Sequence, residues 1–66
     1  MFVLIDRFNW YSSFIGSVVS CHRKIDNAKK AEIEYKSRYP NPTKVIKLSR
    51  RVKIGDFIDV DEVKGN

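Results

Sequence analysis

Cys21 and His22 are the only cysteine and the only histidine in the chain, and they stand side by side. A nucleophilic thiol needs its general base within hydrogen-bond reach. Both residues fall in a run centred on Val18-Val19 that reads as a strand, where neighbouring side chains point to opposite faces. The expectation is therefore a small buried thiol and an imidazole at an edge, not a working pair. A closed zinc site needs four ligands and two are present. Asp56, Asp59, Asp61 and Glu62 lack the alternating oxygens and closing glutamate of a calcium loop. Gly16, Gly55 and Gly65 stand apart, so no glycine-rich phosphate loop forms. The residues point to no catalytic set, no metal, no cofactor and no small-molecule substrate; the chain reads as a binding protein and not an enzyme.

Charge carries more information. Eleven Lys and Arg and three acids lie between Arg23 and Lys53, a net of +8 within a chain whose net is +5. The segment after Lys53 is acidic. Such a contrast attracts polyanions or acidic protein surfaces and orients the approach. Lys29, Lys30 and Lys36 read as a solubilising helix face. Arg50-Arg51 with Lys53, and Arg23-Lys24, fall at the ends of elements, where loops place functional groups. Phosphates favour arginine forks and clustered charge. Arg23, Lys24, Lys44, Lys47, Arg50, Arg51 and Lys53 are the candidate nucleic-acid contacts.

Trp10, Tyr11 and Phe14 form an aromatic cluster suited to core packing, to a protein interface or to base stacking. Ile33 falls among Lys29, Lys30 and Ser37 on the outer side of a helix. These four are the candidate partner contacts.

The elements that must position these groups follow from periodicity and punctuation. Phe2 to Phe8 and Ser17 to Arg23 read as strands that pair antiparallel. Asp26 to Tyr39 reads as a helix with Asp26 as N-cap and with Ala28, Ala31, Tyr35 and Tyr39 on one face. Pro40 stops it. Thr43 to Ser49 reads as a third strand, with Ile46 and Leu48 on one side and Val45 on the other. Val52-Lys53-Ile54 and Phe57-Ile58-Asp59 flank Gly55-Asp56, which reads as a two-residue hairpin turn.

The fold class is α+β: a small ββαβ(β) two-layer domain over residues 1–66, an antiparallel sheet with one helix on one face and an acidic, partly frayed tail over 59–66. Adjacent apolar residues such as Val18-Val19 and Val45-Ile46 place side chains on both sheet faces, and one helix covers one. The second face calls for the C-terminal segment, another protein or a homodimer. The lone cysteine and the lack of an h-region or of ~20 consecutive apolar residues point to a cytoplasmic protein with no membrane segment. Zinc-finger, helix-turn-helix and RNA-binding Gly-aromatic signatures are missing. The functional expectation is a small basic module that binds nucleic acid; the alternative is a small inhibitor or adaptor docking on an acidic protein surface.

Overall fold

Val3, Leu4 and Ile5 are all fully buried, although neighbours on a strand face opposite ways. A strand with no wet face must be central and covered on both sides. A computed structural model describes residues 1–7 and 14–59, and in it this strand holds the middle of the molecule. The elements run β1 (Phe2–Asp6), β2 (Phe14–His22), α1 (Ile25–Arg38), β3 (Thr43–Lys47) and β4 (Phe57–Asp59). The sheet order is β3-β1-β2-β4, antiparallel throughout. The fold is the expected small α+β layer pair, with the helix against three of the four strands.

Pairing register assigns each side chain to a face. Leu4 lies opposite Ser20 and Val45, and Asp6 opposite Ser17 and Thr43. This is the helix side, where Thr43 Oγ1 donates to Glu32 Oε2 at 2.7 Å and the Tyr35 hydroxyl donates to Asp6. Val3 lies opposite Cys21 and Ile46, and Ile5 opposite Val18, on the other face. There Val3, Ile5, Val18, Ile46, Leu48 and Ile58 form the aliphatic core, with Cys21 and Val52 packed against it. The larger apolar cluster thus lies on the side away from the helix.

Its cover is intramolecular. β3 and β4 occupy opposite edges, so residues 48–56 must cross the sheet to join them. Leu48 N–H donates to Met1 O at 2.9 Å, extending the ladder past β3. Cys21 Sγ contacts Val52 O at 3.8 Å, and Gly55 N–H donates to Val18 O at 2.8 Å on the far side of β2. The apolar second face, expected to call for the C-terminal segment, a partner or a second copy, is buried by the first of these.

Two local expectations are corrected. The hairpin about Gly55-Asp56 does not form: Phe57, Ile58 and Asp59 pair with β2 and not with Val52 to Ile54. The turn is one residue earlier, with Ile54-Gly55 at its centre and Asp56 N–H donating to Lys53 O at 3.0 Å. Gly55 has φ of 95°, the left-handed geometry that a type II turn demands at its third residue. Asp56 Oδ2 also accepts the Lys53 N–H at 2.9 Å, so this acid closes a turn. Asp26 is not the N-cap. Lys24 is, in an extended conformation and without a side-chain bond, because Ala28 N–H already reaches Lys24 O at 3.3 Å. Asp26 falls in the first turn, where its charge still opposes the positive helix end. At the other terminus Tyr39 is extended ahead of Pro40, as proline requires.

β2 carries two irregularities. Leu4 pairs with Ser20 while Ile5 pairs with Val18, leaving Val19 as the extra residue of a bulge. A second shift leaves Ile15 between Phe14 and Gly16. Gly16 is buried, and a Cβ there would meet Asp6 O at 2.3 Å and Ile5 Cγ2 at 2.5 Å. Only glycine lets β2 approach β1 this closely.

Candidate polyanion-binding surface

Antiparallel pairing decides which charges become neighbours. Phe2, at the start of β1, lies between His22, at the end of β2, and Lys47, at the end of β3. These three strand ends form one rim of the sheet. Arg23 and Lys24 follow His22 directly, and Arg50 and Arg51 follow Leu48, which is tied to Met1. Arg23, Lys24, Lys47, Arg50 and Arg51, scattered over 29 positions of sequence, are therefore gathered at one end, and all five are exposed. Among the described residues, Arg23, Lys24, Lys47 and Arg51 make no ion pair. Helix α1 also begins here with no side-chain cap, its positive end offset by the charge of Asp26 in the first turn.

Two of the expected contacts lie elsewhere. Lys44 is paired with Ile5, three residues back along β3, and is exposed away from the rim. Lys53 is exposed at the turn before β4, level with Val18. Among the partner candidates, Ile33 is 72% exposed on the outer helix face, as its spacing implied. Trp10 and Tyr11 lie outside the described residues, as does the side chain of Phe14.

Cys21 and His22 face opposite sides of the sheet. Cys21 turns to Val52, while His22 Nε2 lies 2.8 Å from Ser20 Oγ on the helix side. No carboxylate is bonded to the second ring nitrogen among the described residues. Those residues also contain no grouping of three or more His, Cys, Asp or Glu able to hold a metal ion. No described helix is long and apolar enough to cross a membrane.

A second feature lies where α1 leaves part of β2 uncovered. Leu4, Val19 and Ser20 of the sheet and Ala31, Glu34, Tyr35, Arg38 and Tyr39 bound an open cleft of about 200 Å³. One wall is a stacked pair: the Tyr35 and Tyr39 rings lie 4.8 Å apart, tilted by 36°. Tyr35 is anchored at its hydroxyl by Asp6, which is 8% exposed and also accepts Asn41 Nδ2 at 2.9 Å. The hydrogen bond to Asp6, with burial and the nearby negative charge, raises the Tyr35 pKa above its ordinary value. Arg38 and Glu34 form an exposed ion pair at 3.5 Å on the rim of the cleft. Beyond Tyr39 a second hollow is lined by Lys36, Pro40, Asn41 and Pro42.

Sequence reasoning placed Tyr39 on the buried helix face; it is 50% exposed, because Pro40 forces it out of the helical conformation. It also passed over Asp6, which stood only as a charged position within the strand expected over Phe2 to Phe8 and proves to be the last residue of β1. No protein-family model, curated protein or solved structure matches the chain.

Proposed function

We propose that the chain is a small nucleic-acid-binding module that takes phosphates on the sheet rim formed by Arg23, Lys24, Lys47, Arg50 and Arg51. The observation that carries the reading is the convergence of these exposed residues from three separate segments onto one end of the fold. A few phosphate contacts release counterions and give affinity that falls steeply with salt. The experiment is a gel shift with single-stranded and duplex DNA and RNA at 20–300 mM salt, a range over which a four-contact interface weakens by roughly three orders of magnitude. Lys47→Glu and Arg51→Glu should weaken binding, and Lys44→Glu, off the rim, should weaken it least.

A protein-interaction module, a small inhibitor or adaptor, is the second reading. Its support is Ile54, 76% exposed at the tip of the turn beside Lys53, an apolar anchor next to a charge that suits an acidic protein surface. Absence of any retardation at the lowest salt would favour it.

A further inference from the structure

The nucleic-acid reading leaves open which form of nucleic acid is bound, and the cleft beside α1 bears on that choice. We propose that Tyr39 is a stacking platform for one unpaired base of a single strand whose phosphates run on to the basic rim.

Tyr39 has one ring face against Tyr35 and is half exposed. Its geometry is fixed in advance. Pro40 holds its backbone extended, and Tyr35 behind it is tethered by Asp6, itself held by Asn41. A platform that needs no ordering upon binding spends little affinity on immobilisation. A base laid on the exposed part of the Tyr39 ring would add a third ring to this tilted pair, and such stacking is indifferent to base identity.

The surroundings fit a base better than another apolar guest. Ser20 and Glu34 border the same cleft; the Ser20 hydroxyl, though bonded to His22 Nε2, keeps further acceptor capacity, and a carboxylate is a natural acceptor for exocyclic amino groups. Among the described residues the Glu34 carboxylate is paired with the exposed Arg38, a contact that opens at little cost. Arg38 and Lys36 lie on either side of Tyr39, placing cations where the flanking phosphates would pass. A cleft of about 200 Å³ is smaller than the ~300–1,000 Å³ of sites that enclose drug-sized ligands, and suits a single planar ring system. The 14 residues of α1 span ~21 Å between the rim and Tyr39, a distance that a short single strand covers and along which a duplex would keep its bases stacked inside.

The test is fluorescence anisotropy with a labelled mixed-sequence 12-mer, as a single strand and annealed to its complement, at 20 mM salt. Tyr39→Ala should weaken single-strand binding roughly 5- to 150-fold, the range expected for one lost base stack, and leave duplex binding unchanged. Tyr39→Phe, which keeps the ring, should retain wild-type affinity. The unmutated protein offers an independent readout: the Tyr39 ring protons should shift upfield in NMR spectra on adding the single strand. Wild-type affinity in Tyr39→Ala, or unmoved ring protons in a bound complex, would overturn the platform while Lys47→Glu and Arg51→Glu still report on the rim. Failure of the unmutated protein to bind either probe would overturn both readings.

Discussion

The Tyr35 hydroxyl donates to the carboxylate of Asp6, joining the last turn of the helix to the end of the central strand across 29 residues of sequence. Asn41 Nδ2 adds a second donor to the same oxygen, so the turn after the helix is tied to the same point. With Thr43 bonded to Glu32, the helix is held to the sheet by polar ties as well as by Leu4 and Ala28.

Tyr35→Phe keeps the ring and removes the donor, leaving Asp6 with less hydrogen bonding in a site with little access to water. The expected loss is about 1–3 kcal/mol in denaturant melts. Stability should also depend on pH at the alkaline end. The folded-state pKa of Tyr35 is raised above its unfolded value, so its contribution is complete below the unfolded tyrosine value of ~10 and is lost as pH rises through the folded pKa. Tyr35→Phe should flatten this alkaline decline, and an unchanged profile would contradict the assignment.

Ala28 is fully buried against the sheet, whereas Ala31 is partly exposed along the cleft. Ala28→Glu places a charge in the interface and should prevent folding of so small a domain, read as loss of cooperative melting by circular dichroism. Ala31→Glu should cost less and remain folded, since its carboxylate can reach the open cleft.

Gly16→Ala should be costly despite adding one methyl group. The new Cβ meets the Asp6 carbonyl at 2.3 Å, a backbone atom that can yield only if β1 and β2 separate. A loss of about 1–3 kcal/mol in denaturant melts is expected. Gly55→Ala meets no neighbour, and its cost should be limited to the strain of a positive φ, about 1–2 kcal/mol.

Cys21→Ala should retain binding. The thiol sits on the side of the sheet away from the helix, against Val52, and its removal leaves a small packing defect of about 1 kcal/mol. A folded variant that binds nothing would reveal thiol chemistry that the geometry does not suggest.

What sequence disclosed and what it withheld divide by range. Ile46 and, just past β3, Leu48 on one side and Val45 on the other follow from the two-residue period of a strand, and Pro40 ends the helix by local sterics. Phe57, Ile58 and Asp59 were legible as a strand but not as the partner of β2. Local turn chemistry at Gly55 suits a hairpin equally well, and the choice is made by the core face waiting to be covered. The bulge at Val19 and the close approach at Gly16 depend on register, which no short window contains. The rim is legible only in part for the same reason. Arg50-Arg51 stood out as a pair, but their meeting with Arg23 and Lys47, and the separation of Lys44, come from strand order.

The salt dependence of nucleic-acid binding tests the central claim most directly. Affinity for a single-stranded oligonucleotide, plotted as log K against log salt concentration, should fall with a slope of roughly −3 if about four rim cations contact phosphates at ~0.7 per contact. Lys47→Glu with Arg51→Glu should reduce the slope by at least one unit, and Lys44→Glu should leave it nearly unchanged. A slope near zero, or one that the rim variants do not alter, would contradict the account.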